Sequence, residues 1–540
     1  MKRIPADTAA ICRLRVGSVF RAAGLSARQK RLDVWNAIIK SEIELGTQFI
    51  VTKTDRAIYV VLWNDQVLPL PPEGRGGDRV YSYLHAMYGI EITDATAKSV
   101  YALMRVYAFN HGIEVELRRF SAYKTKEHIS YLSSYDGRMW RLDGNEIVRV
   151  PAGENSVFFI DDDRGSSVEP DIQPHGLLFQ HLASPNFTEL SIGGSTPLHQ
   201  QRVLIAWMFA LAFPDLIPNK PVIMLEGAQG SGKTLCILLI QLALMGRGKA
   251  MGFSANQEAD FGVLLLRSPI ALLDNMDSYI PWVADSVCRY VTEGEFPKRK
   301  LYSDDEEIAI KPDSFLAVAS KNPSSFRRED TVDRLLVLRL DRRTEFARVS
   351  KLKEMIANER PKLLGEYLYY VNKIVAAIRD GAYDEAVIET HRMADFAAFL
   401  RVVGTVLGWP DDETQEVLDS LQNERDAFGG EEDPLAELIH FWLNYRPKGH
   451  RSSVWREVTI HELYVELQHC AGPLQIDFVS TYKSPRVLAQ RIRSSHLLRH
   501  FEISSYAVDN YKRYRIRRHT DPKLELVEEP IVKIDDDDDT

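Results

Sequence analysis

The sequence predicts an α/β fold: a parallel sheet covered by helices and closed by a helical lid, with an α+β domain before it and a winged-helix-like domain after it. Three observations predict this. Between residues 197 and 343 short apolar runs alternate with helical ones, the pattern of parallel strands joined by helices. Upstream, residues 129–160 hold four short apolar runs separated by Asp136-Gly137, Asp143-Gly144 and Ala152-Gly153, a hairpin meander. Downstream, helix patterns at 460–469 and 485–494 precede a basic strand pair turning at Val508-Asp509-Asn510.

In chain order, no fold is assigned to the basic extension 1–28. An α+β domain follows over 29–170, with strand-like pieces at 48–54 and 57–63 around the turn Asp55-Arg56. Asp94 reads as the N-cap of a helix presenting Val100, Leu103, Met104 and Tyr107 on one face. The polar stretch 161–174 reads as a linker. The core is expected over 171–344, the lid over 345–430, the basic domain over 431–520 and an acidic, disordered tail over 521–540.

The 540 residues carry a formal net charge of −9, unevenly placed. The last twenty residues hold nine acids against two bases, whereas 483–518 holds ten Lys and Arg against two acids. Cys12, Cys236, Cys288 and Cys470 lie too far apart for a zinc or disulfide pattern. The apolar run 203–213 is about half the length of a membrane span. Arg13 and Arg15 interrupt any signal-peptide core. A cytoplasmic protein without a membrane partner is expected.

The most specific signal is Gly227-Ala-Gln-Gly-Ser-Gly-Lys-Thr234, between the strand pattern Val222-Ile-Met-Leu-Glu and a helix pattern stopped by Gly246. This is G-x-x-x-x-G-K-T in the strand–loop–helix setting the motif requires. Glycines let backbone N–H groups turn inward, and the helix N-terminus adds partial positive charge. Gly227, Gly230, Ser231, Gly232, Lys233 and Thr234 are therefore the expected ATP-binding residues. Lys233 would reach the β- and γ-phosphates and the Thr234 hydroxyl would hold Mg²⁺.

A second strand pattern, Pro269-Ile-Ala-Leu-Leu-Asp274, ends in an acid suited to Mg²⁺. Alone, such an ending is usually structural; after a phosphate loop, the metal role is the better reading. Asn275 follows where many ATPases carry a water-positioning acid, and Asp277 is a nearby substitute. A third strand, Phe315-Leu-Ala-Val-Ala-Ser320, leads into Lys321-Asn322-Pro323, making Asn322 and Ser320 candidates to sense the γ-phosphate. Ordinary turn chemistry is the alternative. Arg334, just before an apolar strand, suits an arginine finger acting on a neighbouring subunit, with Arg328 second and a structural salt bridge at Asp333 the competing reading.

The order of these elements resembles the AAA+ ATPases, and more narrowly the replication ATPases of phages, plasmids and genomic islands. The narrower resemblance rests on Leu273-Asp-Asn-Met-Asp277, Cys288-Arg-Tyr-Val-Thr-Glu-Gly-Glu-Phe-Pro-Lys-Arg-Lys-Leu-Tyr302, Arg328-Glu-Asp-Thr-Val-Asp-Arg334 and Arg392-Met-Ala-Asp-Phe396, and it spans residues 81–408. It implies a homo-hexamer or other ring that hydrolyses ATP between subunits. That family pattern has Asn after the metal-binding aspartate. Thr292-Glu-Gly-Glu departs from it, and Ser-Lys-Asn-Pro after the third strand is closer to minichromosome-maintenance helicases. No primase carboxylate set or zinc-binding cysteines accompany the resemblance, so priming would come from a separate primase. A hairpin is expected over 296–311; its acidic tip, Asp304-Asp305, favours a subunit contact over a grip on DNA.

Arg486, Arg491 and Arg493 on a helix, with Lys512, Arg513, Arg515 and Arg517 on the last strand beside Tyr511 and Tyr514, form the expected contact to single-stranded or forked DNA. A solvated basic face, or a dock for the acidic tail, is the alternative. Together these signals read as an ATP-dependent DNA motor, a helicase or helicase loader, for a mobile element or phage. The alternatives are a nucleotide-gated DNA-binding switch with little turnover, and a defence ATPase.

Overall fold

The computed structural model describes residues 5–53, 56–72, 77–91, 93–160, 165–189, 191, 193–252, 257–277, 280–292, 296–299, 307–310, 314–344, 348–386, 391–430, 434–444, 455–472, 478–482, 484–492, 501–508 and 511–518. Arg493, Lys300, the acidic tip Asp304-Asp305, the turn Asp509-Asn510 and the acidic tail lie outside them. The chain divides into two compact units, Met1–Arg425 and Asp426–Thr540.

The first unit opens with the helices Ala6–Arg21 and Ala27–Glu44, the latter capped by Ser26 accepting from the Gln29 amide. The stretch left without a fold by the sequence is thus helical, burying Ala9, Cys12 and Val16. Asp94 caps Ala95–His111 through the Thr96 amide at 2.8 Å, as its position predicts. A mixed sheet runs Val67–Pro69, Ile58–Val61, Gln48–Thr52, Ile113–Arg118, Val157–Phe159. Its last two pairings are parallel.

The meander differs from expectation at one strand. Ile129–Ser133, Arg138–Leu142 and Ile147–Pro151 pair in sequence order, but their fourth member is Ser121–Lys124 at the front. Val157–Phe159, expected to finish the meander, instead adds to Ile113–Arg118 in the other sheet. The reason is burial. All three residues of Val157–Phe159 are buried, which suits an addition between layers better than a half-wet hairpin edge. The Asp143-Gly144 turn docks on the helix Val349–Arg379: the Gly144 amide bonds Asn372 Oδ1 at 2.8 Å, and a side chain at Gly144 would meet the Ala376 backbone.

Residues 165–174, read from sequence as a linker, are pinned to the core. Ser166 donates its amide to the Met245 carbonyl at 2.9 Å and receives two bonds from the buried Arg360 guanidinium, at 2.9 and 2.6 Å. The Asp171 amide bonds the Pro361 carbonyl at 2.9 Å. Just beyond, the fully buried Glu366 accepts from the Gly176 and Leu178 amides at 2.8 and 2.9 Å.

The central sheet is parallel throughout, in the order Ala250–Met251, Ile270–Asp274, Phe315–Ser320, Val222–Gly227, Leu335–Leu340. Phe315–Ser320 is buried at every residue, as expected for a parallel strand covered on both faces. Pro197–Ala210 and Lys233–Met245 cover the sheet, and Val349–Arg379, Ala394–Leu407 and Asp411–Gly430 follow as the helical segment expected after the core. Trp207, Phe213, Ile240 and Leu244 share one apolar core with Tyr367, Phe399, and the meander's Leu132 and Trp140.

The second unit contains the helices Pro434–Asn444, Ile460–Ala471, Phe478–Thr481 and Pro485–Arg491 with a three-stranded antiparallel sheet. Arg456–Thr459, a strand absent from the sequence reading, pairs with Tyr511–Arg518, which also pairs with Phe501–Val508. Thr459 and Glu462 form a reciprocal capping box at the start of Ile460–Ala471. Leu438, Trp442, Leu463, Leu467, Leu488, Phe501 and Ile516 belong to its core. Among the described residues no helix is long and apolar enough to cross a membrane, and no group of three or more His, Cys, Asp and Glu side chains is placed to hold a metal ion.

Candidate functional site

The carboxyl ends of three adjacent strands bring the sequence-predicted nucleotide residues together. Val222–Gly227 delivers the loop, Ile270–Asp274 delivers the acid, and Phe315–Ser320 lies between them. Ligands of open parallel sheets bind at such strand ends. Gly227 has φ 158°, and a side-chain carbon there would lie 2.2 Å from the Leu340 carbonyl oxygen, so only glycine fits. Gly232, at φ 90°, is the N-cap of Lys233–Met245.

Lys233 Nζ donates to the carbonyls of Gly227 and Ala228 at 2.6 and 3.0 Å and lies 3.4 Å from Ser231 Oγ. Its ammonium is curled over the loop it belongs to. Burial lowers its pKa, and the opposing pull of Asp277, Asp274 and Glu226 does not fully offset that. Thr234 Oγ1 donates to Asp274 Oδ1 at 2.6 Å, joining the two motifs across 40 residues of sequence. A hydroxyl and a carboxylate this close are hard oxygen donors that fit Mg²⁺.

Asn275 sits at φ 55°, and its amide reaches back to Asp274 Oδ1 at 3.0 Å. Asparagine tolerates this left-handed conformation better than most side chains, which gives Asn275 a conformational role at the strand exit. Asp277 is engaged elsewhere. Its Oδ1 accepts from Ser320 Oγ at 2.8 Å and from the Lys321 and Asn322 amides at 2.6 and 3.3 Å. Burial opposes its ionisation, but these bonds and the Lys233 charge hold its carboxyl below the ordinary aspartate value. Asp277 thus fixes the end of the middle strand. Ser320 is buried and committed to that contact, whereas Asn322 is exposed at the strand end.

Glu226, directly before the loop, anchors a buried ionic chain that sequence reasoning missed. Arg327 binds one oxygen at 2.8 Å and Arg339 the other at 2.7 Å. Arg339 also pairs with Glu424, which accepts from the Ser191 hydroxyl and, at 3.0 Å, from the Gly193 amide. No local pattern marks these residues, which lie up to 233 positions apart.

Arg334 lies at the opposite end of the sheet. It precedes Leu335, which pairs with Val222 at the start of the loop strand, and its Nη1 donates to the Asp330 carbonyl. Arg328 pairs with Asp330 and Asp285, each at 2.6 Å. The salt bridge foreseen at Asp333 is present, to Arg392. The Asp333 carbonyl also accepts from the buried Arg425 at 3.1 Å, and Arg425 donates to His391 Nε2 at 2.6 Å. Burial, then the Arg425 charge, push the His391 imidazole down to about 4 from 6.5.

A depressed histidine pKa means the folded state binds fewer protons than the unfolded chain. Its contribution is complete above about 6.5 and is lost as pH falls toward about 4. Urea titrations between about pH 7 and about pH 4.5 should show the wild type losing about 2–3 kcal/mol more than His391→Gln, whose amide oxygen still accepts from Arg425. Equal losses would remove His391 as the titrating group.

In the second unit the basic strand is more engaged than its composition suggests. Arg515 binds Glu457 at 2.8 Å and Arg517 binds Glu502 at 2.6 Å. Tyr514, expected among the exposed cations, points into the core. The aromatic surface comes instead from Trp455, with the Arg515 and Arg517 guanidinium groups 5.4 and 4.3 Å from its ring centre. Lys512, Arg486 and Arg491 are exposed and Arg513 is half-buried.

The family described as actinomycete integrative conjugative element replication protein matches residues 194–422, a stretch that includes the loop, Asp274, Asn322 and Arg334. Over that stretch the chain is similar to a replication protein of a mobile element. Comparison with curated proteins gives no match. Among solved structures, an apo NrS-1 C-terminal region aligns at 11% identity and TM-score 0.43, covering 89% of this chain and 98% of that one. A second apo structure of that region gives 11% and 0.43, with 90% and 98% covered. A putative ATPase from Cytophaga hutchinsonii aligns at 13% identity and TM-score 0.25, over 45% of this chain and 84% of that one.

Proposed function

We propose that the chain is an ATP-dependent DNA motor, a helicase or helicase loader of AAA+ type, serving replication of a mobile element. The observation that carries this reading is the Thr234–Asp274 hydrogen bond at 2.6 Å, beneath a loop of G-x-x-x-x-G-K-T sequence and beside the Asn322 strand end. The family match over 194–422 supports the replication setting.

In this reading Lys233 leaves its loop carbonyls for the β- and γ-phosphates of ATP, and Asn322 reads the γ-phosphate from the middle strand. Thr234 and Asp274 hold Mg²⁺, which when bound neutralises charge on the β- and γ-phosphate oxygens. Arg334 serves the nucleotide of a neighbouring copy in a ring. The second unit, read as winged-helix-like, offers Arg486, Arg491, Lys512 and Arg513 to DNA phosphates, and Arg515 exchanges the exposed Glu457 carboxylate for phosphate at little energetic cost.

The test is steady-state ATP hydrolysis with and without single-stranded and forked DNA, with Lys233→Ala as the blank. Turnover that rises with DNA and falls roughly 10²–10³-fold in the variant is the expected result. One observation favours a second reading. Asn275 carries no carboxylate to activate water, and Oδ1 of Asp277 is committed to Ser320, Lys321 and Asn322. A nucleotide-gated assembly switch would need no such group. Flat turnover near the blank, with ATP-dependent assembly, would decide for the switch.

A further inference from the structure

The strand Leu335–Leu340 ends against the phosphate loop, Leu340 pairing with Gly227. Just beyond it the chain splits its charges. Asp341 turns away, accepting from Thr188 Oγ1 at 3.0 Å while its amide bonds the Asn186 carbonyl at 2.9 Å. Arg343 turns toward the loop, its Nε lying 3.6 Å from where a side-chain carbon on Gly232 would stand. That Nε is shielded from water and has no hydrogen-bond acceptor among the described residues. The rest of the residue is only half-buried.

An arginine offers five donors and no acceptor, and its planar fork matches phosphate oxygens. We propose that Arg343 is a second cation of the nucleotide site, acting within its own subunit on the α- and β-phosphates from the base of the loop. The side follows from position. Lys233, Asp274 and Asn322 define the γ-phosphate side, whereas Gly232 begins the helix whose N-terminal amides cradle the α- and β-phosphates. Arg343 is thus the counterpart of Arg334, set at the other end of the same strand: one arginine for the subunit's own nucleotide, one for its neighbour's.

This inference rests on the nucleotide reading above, and its test separates the two. Mg-ATP and Mg-ADP binding are measured by calorimetry on the full chain for wild type and for Arg343→Gln and Arg343→Lys. Arg343→Gln should weaken both nucleotides alike, by roughly tenfold, the loss of one charge-assisted contact. Arg343→Lys should recover part of it. Arg343→Gln binding both nucleotides like wild type overturns the Arg343 role and leaves the nucleotide reading standing. A loss for ATP with ADP unchanged overturns the α,β assignment. Wild type binding neither nucleotide removes both readings. Should the variants fold poorly, phenylglyoxal labelling of wild-type Arg343, read by peptide mass, is the parallel measure. ADP should suppress the adduct, and unchanged labelling in saturating ADP would overturn the proposal.

Discussion

Arg334→Ala should bind Mg-ATP as wild type does yet hydrolyse it roughly 10³–10⁵-fold more slowly, the range for removing an arginine finger. The geometry excludes help to its own nucleotide. Val222 donates its amide to the Arg334 carbonyl at 3.0 Å, at the start of the strand that Gly227 ends. Six strand residues at about 3.3 Å each put the arginine roughly 20 Å from its own loop. Its Nε is buried without a partner among the described residues, and its Nη1 is held by the Asp330 carbonyl, which keeps the side chain ordered at the edge. Mixing Arg334→Ala with Lys233→Ala should restore hydrolysis, because mixed assemblies pair an intact loop with an intact finger. Activity of Arg334→Ala within a few-fold of wild type would remove the residue from the chemistry.

The largest effect on stability should come from Arg339→Met, at about 3–5 kcal/mol, the usual result of removing one partner from a buried ion pair. Arg339 is 12% exposed and lies between Glu226 and Glu424, whose side chains are 11% and 1% exposed. Without it Glu226 keeps Arg327, but Glu424 is a buried carboxylate left with the neutral donors of Ser191 and Gly193. Urea unfolding of the full chain reads the loss. Adding Glu424→Gln should recover part of it by removing the stranded charge. A midpoint unchanged in Arg339→Met would show the chain of charges to be dispensable.

Sequence legibility follows the range of the interactions. Gly227 to Thr234 could be read because the motif is local, and Asp274 because a strand pattern carries it to the same sheet edge. Asp94, Asp143-Gly144 and the apolar runs were legible for the same reason: caps, turns and periodicity are written within a few residues. What was hidden is contact over distance. Val157–Phe159 reads as one more hairpin strand, and only its burial against Ile113–Arg118 moves it to another sheet. Asp277 reads as a spare acid, yet three donors from the neighbouring strand hold it. Arg515 and Arg517 read as free cations because their carboxylates come from other strands. Glu226, Arg339 and Arg343 carry no motif at all.

The pinned segment 165–174 decides how the molecule can be taken apart. Its backbone is held to the core at two points, the Ser166 and Asp171 amides being bonded to Met245 and Pro361. A chain begun after residue 180 strips Arg360 of its Ser166 acceptors and Glu366 of two amide donors, opening two buried charges at once. Residues 166–178 are therefore tied into the parallel-sheet core, and a fragment trimmed at the apparent linker is a core cut open rather than a domain set free.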